Sequence, residues 1–178
     1  MSSRRPKDPQ AATGGGAPPE QYEQAWQRAL RLLARQERTE SDLLSRLDRA
    51  GFDLPTRETV LKRLRGLGFV DDERFARVWL ARRGGPQALG KRRLRSELAR
   101  KGVAPAVVQR VLAEITAEVE QTRANAVACH LLSRLGPEPA QGWQSRLYQT
   151  LARRGFGSET ARAALRRAVE ELDQDSGW

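Results

Sequence analysis

The decapeptide LRSELARKGV at residues 94–103 decides the fold, because the chain carries two further versions of it. They are LLSRLDRAGF at residues 43–52 and LYQTLARRGF at residues 147–156, and the aligned glycines lie 51 and 53 residues apart. In each version two leucines four positions apart share one face of a helix. Glycine takes the left-handed conformation that ends a helix, and the apolar residue after it packs back on the last turn. Each version therefore predicts a helix that stops at its glycine.

Another helix is predicted before and after each of these three segments. The following helices begin near Thr56, which is the predicted N-cap of its helix, at Pro105, and at Ser158. Trp26 and Trp79 fall on apolar stripes of preceding helices and are predicted core residues. No run alternates polar and apolar residues in the manner of a strand. The fold class is predicted to be all-α: three tandem three-helix repeats, each touching only its neighbours, in an extended, curved array.

Breaks in the pattern suggest the domain boundaries. The first 20 residues are rich in Pro and Gly and are predicted to be disordered. Because residues 106–135 contain neither Gly nor Pro, the last helix of the second repeat is expected to run directly into the third repeat. The predicted boundaries are a lead at 1–20, repeats at 21–67, 68–118 and 119–173, and a tail at 174–178.

Charge is concentrated in the middle of the chain. Residues 74–101 hold ten Arg or Lys and a single acid, Glu97. This segment therefore accounts for nearly all of the net charge of +10 of the whole protein. Within the helix at 91–101, Leu94 and Leu98 share the apolar face, and Arg92 and Arg100 lie opposite, about 12 Å apart along the axis. The pattern favours an anionic partner over a merely solvated helix face.

Composition excludes several classes of protein. Cys129 is the only cysteine, so an internal disulfide framework is excluded and a reducing compartment is favoured. No apolar run is as long as a membrane span, and the N-terminus lacks the apolar core of a signal peptide. We therefore expect a soluble, cytoplasmic protein without membrane association.

No set of residues predicts catalysis, a cofactor or a metal. The segment 85–91 matches seven positions of a phosphate-binding loop, but Arg92 stands where Ser or Thr should hold Mg²⁺, and a helix precedes it where a strand should. Cys129 and His130 are too few for a zinc site and are predicted packing residues. The acids at 71–73 are interpreted as complementing the positive end of a helix. The chain is predicted not to be an enzyme.

Three stretches together resemble the RecX family of regulatory proteins. They are GFVDDERFAR at 68–77, LRSELARKGV at 94–103, and ALRLLARQERTESDL at 29–43; the likeness extends over about residues 21–171. The resemblance implies an all-helical array of three-helix repeats that binds the filament of the RecA recombinase and suppresses it. Such proteins are bacterial and cytoplasmic. They insert along the groove of the filament and interfere with DNA pairing, ATP turnover and repressor self-cleavage.

This resemblance and the charge pattern predict the same kind of partner. The expected partners are the RecA filament and DNA, single- or double-stranded and bound without sequence specificity, and the chain is expected to act as a monomer. A filament groove offers acidic protein surface and phosphates, which guanidinium and ammonium groups bind. The candidate contact residues are Arg74, Arg77, Lys91, Arg92, Arg93, Arg95, Arg100 and Lys101, with Arg153 and Arg154 as second-rank candidates.

Two other functions fit parts of the pattern. A helix, a turn with glycine and a second helix also outline a helix-turn-helix DNA-binding protein acting without a recombinase, with residues 105–115 as the reading helix. That helix offers few side chains that read bases, mainly Gln109 and Arg110. The remaining alternative is a helical scaffold for another protein.

Overall fold

A computed structural model describes residues 19–135 and 141–175 of the chain. These residues form nine α-helices and one 3₁₀ turn, Gly85–Gln87, and contain no strand. The predicted all-α class is confirmed. The helices are α1 Pro19–Arg35, α2 Glu40–Asp48, α3 Leu54–Gly66, α4 Asp72–Ala81, α5 Lys91–Arg100, α6 Pro105–Ala113, α7 Ala117–Leu132, α8 Trp143–Arg153 and α9 Ser158–Asp175.

The three aligned glycines end α2, α5 and α8 in the same way. Gly51, Gly102 and Gly155 have φ of 88°, 77° and 87°, in the left-handed region that favours glycine. The N–H of the residue after each glycine donates to the carbonyl of the second leucine of the motif, over 3.1–3.2 Å; the pairs are Phe52 with Leu47, Val103 with Leu98, and Phe156 with Leu151. This is the Schellman pattern of helix ends, as the sequence predicts.

The described residues divide into two compact units. The first unit holds the described residues up to Gln36 together with Leu43–Phe69, and the second holds Glu37–Asp42 and the residues from Val70 onward. In the first unit α1 packs against α3, and the guanidinium of Arg63 lies 4.4 Å above the ring of Trp26. The buried apolar side chains of this unit are Ala25, Trp26, Ala29, Leu43, Leu47, Val60, Leu61 and Leu64.

The second unit has two apolar clusters. One lies among α4, α5 and α6, and its fully buried members include Ala76, Leu94, Leu98 and Val111. The other lies among α7, α8 and α9 around Leu151 and Phe156, and it also takes in Ala88 from the α4–α5 connection. Small residues line α9 in this cluster: Ala161, Ala164 and Ala168 are all buried.

Two predicted helix boundaries are wrong. The N-cap of α3 is Asp53 and not Thr56: the Asp53 carboxylate accepts from the Thr56 N–H at 2.8 Å, and Thr56 is buried within the first turn. The predicted continuous helix across residues 114–116 is broken, because the Thr116 side chain accepts from the Val119 N–H and starts α7 as its N-cap. The second error comes from relying on the absence of Gly and Pro, which overlooks Thr116 as a hydroxyl cap.

Several sequence predictions concern residues that the structure does not describe. Residues 1–18 of the predicted lead and 176–178 of the predicted tail lie outside the described ranges, while α1 begins at Pro19 and α9 extends to Asp175. The boundaries between repeats stay predictions. Within the described ranges, no helix has both the length and the apolar character needed to cross a bilayer.

Candidate anion-binding surface on helix α5

Helix α5 is anchored by its leucines and exposes its arginines. Leu94 and Leu98 are fully buried against α4 and α6, while Arg92 and Arg100 on the other side are exposed. The four-residue spacing of the leucines fixes this orientation, because it makes one narrow apolar stripe on an otherwise basic helix. The predicted anionic-partner face of α5 therefore lies on the surface.

The first turn of α5 is held by the last turn of α8. The Gly90 N–H donates to the Arg154 carbonyl at 2.9 Å, and the Arg92 N–H donates to the Gly155 carbonyl at 3.3 Å. A third N–H, that of Lys91, donates to the Glu120 carboxylate at 3.0 Å. A helix start has free N–H groups and a helix end has free carbonyls, so each supplies what the other lacks.

We call this arrangement the α8–α5 junction. It requires glycine at two positions, because the two helix ends lie too close together to leave room for a Cβ atom. A Cβ on Gly90 would lie 2.3 Å from the Gly155 carbonyl oxygen, and a Cβ on Gly155 would lie 2.4 Å from the Arg93 backbone nitrogen. Gly90 has ordinary extended backbone angles, φ −77° and ψ 162°. Its lack of a side chain is required by this close approach and not by its conformation.

The junction brings the first- and second-rank arginine candidates together. Arg92 and Arg93 begin α5, and Arg153 and Arg154 end α8, where backbone hydrogen bonds join the two helix ends. Arg92, Arg93 and Arg153 are exposed; Arg154 is half-buried, and its guanidinium donates to the Pro86 carbonyl at 2.7 Å. We call these four residues the junction arginines.

The last turn of α5 is closed in a similar way. The Thr39 hydroxyl donates to the Lys101 carbonyl at 2.6 Å. The hydroxyl oxygen of Thr39 also accepts from the Asp42 N–H at 3.2 Å. A Cβ on Gly102 would lie 2.4 Å from the Ser41 side chain. Both ends of α5 are therefore satisfied by groups within the second unit.

Exposed cations of α5 differ in whether an acid already neutralises them. Among the described residues, Arg92, Arg95 and Arg100 have no carboxylate within 4.0 Å. Arg93 has its Nε 3.7 Å from a carboxylate oxygen of Glu97. A charge that no described acid neutralises is available to a partner, so these three arginines are the strongest candidates on α5.

The two candidates on α4 are occupied. The Arg77 guanidinium donates to Glu114 at 2.8 Å and also contacts Glu73, and the hydrogen bonds that it donates to these carboxylates raise the pKa of Arg77. Arg74 has its Nε 3.8 Å from the Glu37 carboxylate. Acids already take up part of the hydrogen-bonding capacity of these two residues, so they are weaker candidates than the arginines of α5 that have no acid beside them.

Arg83, which was not among the predicted contact residues, and Trp79, which was predicted only as a core residue, lie beside Lys101. The guanidinium of Arg83 lies 4.3 Å, and the ammonium of Lys101 4.9 Å, from the centre of the Trp79 ring. The Trp79 indole N–H donates to Glu97 at 3.1 Å. Trp79 is only half-buried, at the edge of the α4–α6 cluster, and not a fully enclosed core residue. Its position four residues before Arg83, which follows the end of α4, is the one signal that the sequence offered.

The segment that imitates a phosphate-binding loop is a connector between α4 and α5. It contains the 3₁₀ turn Gly85–Gln87 and the buried Ala88, and the Arg123 guanidinium donates to the Arg83 carbonyl at 2.5 Å beside it. The backbone N–H groups that open α5 are bound to protein acceptors, so they do not form a phosphate cradle.

The other motifs considered for chemistry have structural roles. Asp71 caps α4 by accepting from the N–H groups of Glu73 and Arg74, both at 2.9 Å.

Cys129 is exposed and not packed as predicted, because the buried face of α7 is formed by its neighbours Val127, Ala128 and Leu132. The Cys129 thiol donates to the Glu171 carboxylate at 3.3 Å. Partial desolvation of the thiol and this hydrogen bond to the Glu171 carboxylate raise the pKa of Cys129. Across the described ranges no three His, Cys, Asp or Glu side chains group as a metal site.

The reading helix of the helix-turn-helix alternative offers little to a base. In α6, Arg110 has a guanidinium nitrogen 3.4 Å from the Glu73 carboxylate, which leaves Gln109 as the exposed polar side chain beside alanines. Sequence-specific recognition through the major groove uses several Arg, Asn or Gln side chains on one helix.

Comparison with known proteins gives the family. Family models described as "RecX, first three-helix domain" and "RecX, second three-helix domain" match residues 25–64 and 71–112. Regulatory protein RecX of Mycobacterium sp. (strain KMS) is 40% identical over 147 residues, covering 80% of each chain. Regulatory protein RecX of Amycolatopsis mediterranei (strain U-32) is 34% identical over 159 residues, covering 89% of this chain and 91% of its own.

A solved structure has the same fold. The crystal structure of RecX from Lactobacillus salivarius superposes with a TM-score of 0.73 at 18% identity, covering 87% of this chain and 98% of that one. At that identity the likeness concerns the fold alone, and it agrees with the all-α arrangement described above. Taken with the relatives of 34–40% identity, it leads to one conclusion: the chain belongs to the RecX family of regulatory proteins.

Proposed function

We propose that this chain is a negative regulator of the RecA recombinase. It binds along the groove of the RecA–DNA filament and inhibits ATP hydrolysis, strand exchange and co-protease activity. The observation that carries the proposal is a row of three exposed arginines on α5, Arg92, Arg95 and Arg100, with no acid of the described chain neutralising them. Membership of a regulatory family supplies the context.

The chemistry of this row suits a polyanion. Guanidinium groups bind phosphates and carboxylates through paired N–H donors and keep their charge at any physiological pH. Contacts to phosphate carry no sequence information, so the DNA contact should be independent of sequence and should weaken as salt rises. A filament presents phosphates and acidic side chains along one path, and a row about 12 Å long can meet more than one of them.

The direct test reverses two charges on the exposed face. The variant Arg92→Glu/Arg100→Glu keeps Leu94 and Leu98, and hence the packing of α5, but removes the outer row. Wild-type protein added to an active RecA–single-stranded-DNA filament should lower ATP hydrolysis in proportion to its concentration, and the variant should not lower it at all. A matched control is Arg162→Glu/Arg166→Glu, which makes the same change in net charge on exposed positions of α9.

The outcomes separate the proposal from its alternatives. Equal inhibition by the α5 variant and wild type would discard α5 as the contact. Loss of inhibition in the α9 control as well would mean that net charge alone matters. Wild-type protein that leaves the ATPase unchanged but binds bare duplex with a steep salt dependence would favour the DNA-binding alternative.

We also propose that the acting species is a monomer. Sedimentation equilibrium of the full chain at the concentrations used for inhibition tests this directly, since a dimer would double the apparent mass.

A further inference from the structure

Glu97 is the single acid among the cations of residues 74–101, and it is nearly enclosed by them. Its side chain is 14% exposed. One carboxylate oxygen lies 3.3 Å from Nε of Arg83 and accepts from the Trp79 indole N–H at 3.1 Å. The other oxygen lies 3.7 Å from Nε of Arg93. One carboxylate on α5 therefore meets cations from α5 and from the segment that follows α4.

Trp79 extends this cluster to a third cation. Both the Arg83 guanidinium and the Lys101 ammonium lie over its ring, at 4.3 and 4.9 Å from the centre. Such cation–ring contacts are favourable and directional. The hydrogen bond to Glu97 fixes the rotation of the indole, and the indole in turn fixes where these two cations can lie.

The cations remain accessible although they are held. The Arg83 and Arg93 side chains are 34% and 47% exposed, and Lys101 is exposed. Each could donate to a further anion with the N–H groups that Glu97 and Trp79 do not use, because a guanidinium has five N–H donors and an ammonium has three.

We propose that Glu97 is a positioning residue of the anion-binding surface: it holds Arg83 and Arg93 directly, and Lys101 through Trp79, in the places where they meet the anionic partner. This inference rests on the proposed function, since the partner is the RecA–DNA filament named there. It adds Arg83 and the Trp79–Glu97 pair to the contact surface.

The proposal predicts a sign opposite to that of simple electrostatics. Replacing an acid in a basic surface by a neutral residue raises the net charge by one, and attraction to a polyanion should then increase. If Glu97 positions cations, its neutralisation frees long side chains that must be ordered again on binding. Freeing two or three of them lowers affinity by about tenfold.

The experiment measures binding of the full chain to RecA filaments assembled on fluorescently labelled oligo(dT). Glu97→Gln keeps the volume and an oxygen acceptor for the Trp79 N–H while removing the charge. It should bind about tenfold more weakly than wild type. Glu58→Gln, at an exposed position of α3, makes the same change in net charge and should bind as tightly as wild type or more tightly.

A second set of variants tests whether Glu97 acts through the cations. Arg83→Gln/Arg93→Gln leaves Glu97 in place and should also weaken binding. In that background Glu97→Gln should cause at most a twofold further loss, because non-additivity marks residues that act as one unit. If Glu97→Gln reduces the folded fraction, the Arg83→Gln/Arg93→Gln variant still tests whether these cations bind the filament, because it retains the carboxylate.

Each outcome has one meaning. Wild-type protein that fails to bind the filament overturns the proposed function. Wild-type protein that binds, with a Glu97→Gln variant that is folded by circular dichroism and binds as well or better, overturns the positioning role alone. A full tenfold loss of affinity from Glu97→Gln in the Arg83→Gln/Arg93→Gln background also overturns the positioning role.

Discussion

Replacing Gly90 by alanine should break the α8–α5 junction. The added Cβ would lie 2.3 Å from the Gly155 carbonyl oxygen and 2.4 Å from the Phe156 backbone nitrogen, so the two helix ends must separate by about 1 Å. Hydrogen bonds of 2.9 and 3.3 Å across the junction would then exceed bonding distance. Each lost bond that leaves its donor buried costs about 1–1.5 kcal/mol, and the smaller entropy of the unfolded alanine chain returns about 0.5 kcal/mol. The expected net destabilisation is about 2 kcal/mol.

The assay for this junction is thermal unfolding followed by circular dichroism at neutral pH. For a chain of this size 2 kcal/mol corresponds to a fall in Tm of about 4–8 °C. Gly84→Ala is the matched control, because a Cβ there meets its nearest atom, the Ala81 carbonyl oxygen, at an ordinary 3.7 Å. It should move Tm by about 1 °C or less. A Gly90→Ala variant that melts with the control would refute the close-packing argument.

Three further predictions concern single residues. Asp53→Ala should lower the urea midpoint of the first unit at neutral pH; because hydrogen bonding from Thr56 lowers the pKa of Asp53, the wild type should keep this contribution at neutral pH and lose it as pH falls through that depressed pKa. Gly66→Ala should raise stability by about 0.5–1 kcal/mol in urea unfolding, since nothing lies within 4 Å of the added Cβ in the last residue of α3. Hydrogen bonding from Arg77 lowers the pKa of Glu114, so in an NMR titration Arg77→Gln should return the Glu114 carboxyl toward its ordinary value.

The helix ends that repeat in the sequence were predictable because their cause is local. Gly51, Gly102 and Gly155 each terminate a helix whose leucines, basic residues and following apolar residue lie within ten positions. Everything that a Schellman motif requires is then visible in one window. The burial of Leu94 and Leu98 was predictable for the same reason, since their spacing alone defines a helix face.

The features that could not be predicted depend on contacts between residues that lie far apart in the sequence. Gly90 has backbone angles that any residue can adopt, so only its distance to Gly155 explains why it is glycine. The sequence around Arg77 indicates a free cation, but in the structure Arg77 binds Glu114, which lies 37 positions later in the chain. Cys129 reads as an apolar packing residue, yet it lies just off the buried face of α7, where a shift of one position decides exposure.

The closure of both ends of α5 restricts how the helix can bind an anion. A helix start often binds phosphate through its free N–H groups, but here the N–H groups of Gly90, Lys91 and Arg92 already donate to protein acceptors. Binding must therefore come from arginine side chains, whose reach depends on where the backbone places them. The junction sets the positions of Arg153 and Arg154 relative to α5. Gly90→Ala should thus weaken filament binding even though it removes no charge, and a variant that melts early but binds normally at low temperature would separate the junction from the binding surface.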